Sequence, residues 1–243
     1  SSIDYYMQAK NHLSSIKLEL LLWKADAYAV AKNDYFSKVF FFNVALGILV
    51  VYNLMIFFFT RERTYVYYAC MTLGSVVFSA LHPEFMMSGN IFFYPSLLDL
   101  YNTEITQWAV LALFFFTPWF AHSFLQLKIC MPKEEKYFIY MPLGFVFLTV
   151  LSVYEFIPSF ITLMYLLLMV LSIAAVSFIT LFKGMKQTRY FIFAYVVFLI
   201  AFVMIVLEHY ELVDIDTRSI YLVQITLLLK AFVLSIGLSA RVH

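Results

Sequence analysis

The chain has 243 residues, 64% of them hydrophobic and 13% charged, with a formal net charge of +1; a soluble domain carries roughly 25% charged residues. A water-soluble fold of this size has too little interior to hide so much apolar side chain, so a soluble enzyme is excluded. The near-zero net charge says nothing about nucleic acid, and none is expected as a partner. Unbroken apolar runs of about twenty residues then select membrane helices over a β-barrel, whose strands alternate apolar and polar positions over about ten residues.

Residues 1–34 alone have soluble character. The segments YYMQAKN and IKLELLLW alternate in the manner of short strands, with Ile16, Leu18 and Leu20 on one face and Lys17, Glu19 and Leu21 on the other. Two strands do not make a stable fold. They are expected to be the last strands of an extracellular domain cut away upstream, or else a helical juxtamembrane segment. The start SSID lacks a Met and a signal-peptide pattern, and the chain is taken as a piece of a longer protein. ADAYAVAKNDY is expected to form a short helix at the membrane surface.

Seven apolar runs follow and make up a second unit, 35–243: Tyr35–Phe59, Thr64–Leu81, Leu97–Leu127, Tyr137–Val153, Phe160–Phe182, Tyr190–Leu207 and Ser219–Val242. The expected fold is an all-α bundle of seven transmembrane helices. Its orientation follows from basic residues in the short loops. Arg61, Arg63, Lys128, Lys133, Lys136, Lys183, Lys186, Arg189 and Arg241 fall on one side, and Arg218 alone on the other. The N-terminus is therefore expected outside and the C-terminus inside, in a multi-pass protein of the cell (inner) membrane. Cys70 falls in an apolar helix and Cys130 in an inside loop, so no disulfide is expected.

The stretch from Tyr52 to Tyr68, YNLMIFFFTRERTYVYY, resembles the bacterial seven-transmembrane receptors with diverse intracellular signalling modules. The matching positions are Tyr52, Asn53, Leu54 and Phe57, then the turn Arg61, Glu62, Arg63, then Tyr65, Tyr67 and Tyr68. FAHSFLQLK (Phe120–Lys128) and LSIGLSARV (Leu234–Val242) agree as well, so the resemblance covers essentially all of 35–243. It implies a sensor. Members of that family commonly carry an extracellular jelly-roll domain before the first helix, which would account for the strand-like tail. After the seventh they usually carry a histidine kinase, a cyclase or a phosphatase. The partners so implied are the lipid bilayer, a small-molecule or carbohydrate ligand, a cytoplasmic signalling module and a second copy of the chain. One departure is Lys230, where the family often has an acidic residue.

Lys230 lies near the middle of the last run. At about 100° per residue, Ser219, Thr226, Lys230, Gly237 and Arg241 share one stripe, which should face protein or a water-filled cavity, because a charge at bilayer depth is expensive. The third run offers Asp99 and Glu104. Asp99 fits a capping box begun by Ser96. Glu104 lies within about 6 Å of the depth of Lys230 at about 1.5 Å per residue, and the two are expected to be paired directly or through water. Glu104, Gln107 and Lys230 form the candidate ligand-binding set. A structural pair that only fixes helix packing is the competing reading.

The candidate signalling residues are Asn53, Arg61, Arg63 and Arg241. Asn53 is expected to make an interhelical hydrogen bond, since an amide facing lipid would go unsatisfied. Tyr65, Tyr67 and Tyr68 are expected to form an interfacial belt. Glu208, His209, Glu211, Asp214 and Asp216 are expected to be a solvated acidic loop, since they lack EF-hand spacing. The five histidines are scattered, which argues against a zinc hydrolase, and no nucleotide loop or Ser-His-Asp set is visible; no catalytic residue and no cofactor is expected. Two other readings remain. A rhodopsin-like photoreceptor would use Lys230 as a Schiff base for retinal, but the sixth run has neither Trp nor Pro to shape a chromophore pocket. A small transporter would need broken helices at matching positions.

Overall fold

The computed structural model describes residues 25–81, 103–185, 187–209 and 219–242. Among these, every regular element is a helix: α1 (Ala25–Thr60), α2 (Arg63–Leu81), α3 (Thr103–Phe114), α4 (Thr117–Phe124), α5 (Leu127–Cys130), α6 (Glu135–Val153), α7 (Ser159–Phe182), α8 (Thr188–His209) and α9 (Ser219–Val242). The strand-like segments of the tail and Asp99 lie outside the described residues. Four stretches are long and apolar enough to cross a bilayer, namely Ser37–Thr60, α6, α7 and Val223–Ala240, and Thr188–Ile200 is a shorter apolar helix. The chain is a multi-pass membrane protein built from helices.

The second and the fourth to seventh apolar runs coincide with α2, α6, α7, α8 and α9 to within two residues at either end. The first and third differ. ADAYAVAKNDY does not form a separate surface helix but the opening turns of α1, which runs for 36 residues. No Gly or Pro interrupts that stretch, and its alanines favour continued helix. The third run is divided at Phe115 and Phe116. Pro118, in the first turn of α4, has no N–H to give and crowds the preceding turn. The backbone ladder resumes on both sides, Phe115 N–H donating to Leu111 O at 2.8 Å and Phe120 N–H to Phe116 O at 2.9 Å. The break is therefore a kink within one helical run.

Helix ends are set by identifiable caps. At the end of α7, Gly184 at φ 89° takes the left-handed position, with its N–H on Leu181 O at 3.0 Å and the next N–H, of Met185, on Thr180 O at 3.3 Å. This is a Schellman motif. Glu155 at φ 60° ends α6 the same way, its N–H on Ser152 O and that of Phe156 on Leu151 O. Arg61 at φ 57° ends α1 through one bond to Phe57 O at 2.7 Å.

The helices close into a ring. α1 packs on α2 and α9, α2 on α3 and α4, those two on α6, then α6 on α7, α7 on α8, and α8 on α9; α2 also touches α9 across the ring. The interior is aromatic. Tyr68 of α2 meets Phe120 of α4, Phe120 and Phe124 both meet Phe191 of α8, and Phe191 stacks on Tyr195 at 4.3 Å. The turn that carries Arg61 and Arg63, the end of α4, the starts of α6 and α8, and the ends of α7 and α9 gather at one end of the ring, which is thereby its basic end. Side-chain bonds tie it together. Thr64 Oγ1 and Ser123 Oγ are 2.6 Å apart, His122 Nε2 lies 3.1 Å from Glu135 Oε1, and Lys183 donates to the Cys130 carbonyl.

Candidate functional site: the seam around the last helix

α9 packs on α8, α1 and α2. One face carries Lys230 and Gly237 toward α8. Lys230 is only 2% exposed. Its Nζ stands 4.2 Å from the centroid of the Phe198 ring and 4.9 Å from that of Tyr195, both on α8. The faces of these rings attract a cation, but they leave its N–H groups without acceptors. Among the described residues no hydrogen-bond acceptor meets Nζ. Gly237 lies at the closest approach on this face, where an added Cβ would stand 2.9 Å from Tyr190 Cβ and 3.2 Å from Phe124 Cζ.

The neighbouring face of α9 is gripped from α1 and α2. Tyr68 donates its hydroxyl to the Ala231 carbonyl at 2.6 Å, and Tyr65 donates to the Leu238 carbonyl at 3.4 Å. Asn53 Nδ2 donates to Leu49 O at 2.8 Å and to Ser235 Oγ at 3.4 Å. All three side chains are fully buried. Their local placement follows from helical spacing: Tyr65, Tyr68, Thr72, Ser75 and Ser79 fall three or four apart, on one stripe of α2. Thr72 and Ser75 turn their hydroxyls back onto the carbonyls of Tyr68 and Met71, which lets polar side chains sit in an apolar helix.

The tyrosines therefore correct the interfacial assignment. Tyr65 and Tyr68 are core residues bonded to α9, while Tyr67 is part-exposed and packs on Trp119 at 6.2 Å between ring centroids. A tyrosine has an apolar body and a polar tip, so it suits either an interface or a dry interior with an acceptor. The α2 stripe was the available signal for the second.

The other candidate residues fall into two groups. Gln107 donates to Ser159 Oγ, at the start of α7, at 3.0 Å, and its Oε1 is buried without a partner; among the described residues nothing joins it to Lys230. Arg61 and Arg63 are exposed at the basic end. The side chains of Glu104 and Arg241 lie outside the described residues, as do those of the acidic stretch from Glu208 to Asp216. The seam as a whole offers hydroxyl and amide donors set against helix carbonyls. Bonds of that kind can exchange partners as one helix turns or slides against another.

The family model described as 7TM diverse intracellular signalling matches residues 35–241. No curated protein matches the chain, and no solved structure does.

Proposed function

Because the chain belongs to the 7TM diverse intracellular signalling family, whose domains are membrane sensor domains of signalling proteins, we propose that it receives a signal outside the cell or within the bundle and relays it through α9 to a cytoplasmic effector. In this reading the domain crosses a bacterial inner membrane seven times, N-terminus out and C-terminus in, behind an extracellular domain. The domain is sensory rather than catalytic. Small-molecule or carbohydrate ligands are the expected input, and the effector a kinase, cyclase or phosphatase, acting as a dimer.

One observation carries the reading: side chains from α1, α2 and α8 all attach to α9 within the stretch from Lys230 to Leu238. A signal that moves any of those helices must strain contacts on α9. In this reading the rod has two arrangements, and a ligand that prefers one shifts the balance.

The test uses a reporter histidine kinase fused after Val242, with zero to four extra residues at the junction. If α9 delivers its motion as a continuous helix, kinase output should rise and fall with a period of about 3.6 residues. Output that is flat across the series would overturn the relay.

A further inference from the structure

A second site lies away from the seam, on the outer surface of the bundle between α6 and α7. A groove of about 410 Å³ is lined by Lys133, Lys136, Tyr137, Tyr140, Met141 and Tyr165. That volume is within the roughly 300–1,000 Å³ of ordinary ligand sites. Its polarity is graded along α6. The two lysines stand at the mouth, at the basic end where α6 begins, and both are exposed. Beyond them the walls are aromatic and thioether. Tyr137 and Tyr140 are 71% and 64% exposed, with rings free to face an occupant.

The deep end is closed by Tyr165, whose hydroxyl is fixed on the α6 backbone. Pro142 interrupts the α6 ladder, and neighbours bond to two carbonyls in the turn that precedes it. Tyr165 donates its hydroxyl to Met141 O at 3.0 Å, and Trp119 donates Nε1 to Ile139 O at 3.0 Å. Gly144 leaves the room that the Tyr165 hydroxyl uses, since a Cβ there would stand 2.5 Å from Oη. At the mouth, of the two carboxylates between the lysines, Glu135 is turned to His122 at 3.1 Å, which leaves Glu134 set against the two lysine charges.

We infer that this groove seats one anionic phospholipid, with its phosphate between Lys133 and Lys136 and an acyl chain along Tyr140 and Met141 toward Tyr165. Charge complementarity and the direction of the gradient select this occupant. α6 is long and apolar enough to cross the bilayer, so its first turn stands at headgroup depth and Met141 about 9 Å further in, at about 1.5 Å per residue. Basic pockets between membrane helices hold anionic headgroups. A soluble anion would gain from the lysines but nothing from the apolar trough. A peptide would have to leave backbone groups unpaired in hydrocarbon. The inference needs only that α6 spans the bilayer, and it stands apart from the relay through α9.

The test is native mass spectrometry of the whole chain released from nanodiscs that contain phosphatidylglycerol and phosphatidylcholine in equal amounts. Wild-type protein should retain one phosphatidylglycerol in preference to phosphatidylcholine. Lys133→Gln with Lys136→Gln should lower that adduct at least tenfold, and Met141→Trp, which fills the trough but keeps both lysines, should lower it comparably. Arg61→Gln, at the same end of the bundle but outside the groove, should leave it unchanged. Equal retention of the two lipids by wild type would overturn the site. So would loss with Arg61→Gln as great as with the lysine pair, or full retention by Met141→Trp, since either would mean general attraction to a basic surface.

Discussion

At the scale of single residues, Lys230 dominates. A cation at mid-helix costs about 2.5–3.5 kcal/mol on insertion scales, and two aromatic faces recover only part of this, about 0.5–2 kcal/mol. A polar partner is a further source of stabilisation, and we propose that Glu104, near the start of α3, supplies it directly or through water. Glu104→Gln should then strand the lysine and lower thermal stability sharply, by about 3–5 kcal/mol if a buried pair is broken. Adding Lys230→Met should recover most of the loss. An unchanged melting temperature of the Glu104→Gln protein in detergent would contradict the pairing. Tyr68→Phe is a milder case. It removes a buried donor from the Ala231 carbonyl and keeps the ring against Phe120, so a loss of about 0.6–1.7 kcal/mol is expected from membrane hydrogen bonds. A thermal denaturation series resolves that difference.

At the scale of helices, the close approaches decide what can be changed. A Cβ on Gly74 would lie 2.0 Å from the Ala112 carbonyl oxygen and 3.3 Å from Leu113 Cα. The obstacle is backbone, so α2 and α3 can accept it only by moving apart. Gly74→Ala should therefore cost at least the about 1–3 kcal/mol of an overpacked core, seen as earlier aggregation on heating. Gly47→Ala meets nothing within 4 Å and should leave stability level or slightly raised, because alanine is the better helix former. Equal behaviour of the two variants would show that α2 and α3 are not in backbone contact.

The same helices show what is legible in a sequence. Span positions were, because an apolar run of bilayer length has few other fates in water or lipid; α9 has the bounds of its run, Ser219–Val242. The kink at Phe115 was not, because proline inside a membrane helix is tolerated wherever neighbours re-satisfy the backbone, and those neighbours are distant in sequence. The joining of Ala25 to the first span was missed because the polar residues of ADAYAVAKND suggested a separate surface helix, while its four alanines carry the helix through them. At the site, the burial of Lys230 was legible from the cost of exposing it. The attachment of Tyr65 and Tyr68 to α9 depends on which carbonyls another helix presents, and no spacing within α2 reveals that.

At the scale of the molecule, α9 is held by buried side-chain bonds from α1 and α2 and by the rings of α8, while α6 and α7 are tied to α3 and α4 by Trp119 on Ile139 and Gln107 on Ser159. The proposed relay takes α9 as the rod through which a change in the bundle leaves it. Lipid-facing positions of α9 such as Ile225, 62% exposed, and Phe232, 55% exposed, should be silent in this respect. The most direct measurement is the ligand-free output of a kinase fused after Val242, compared for Asn53→Ala, Tyr68→Phe, Ile225→Ala and Phe232→Ala in membranes at matched protein levels. Relay through the seam requires the first two to shift output severalfold and the last two to leave it near wild type. Four equal outputs, or shifts as large from the lipid-facing positions, would contradict it.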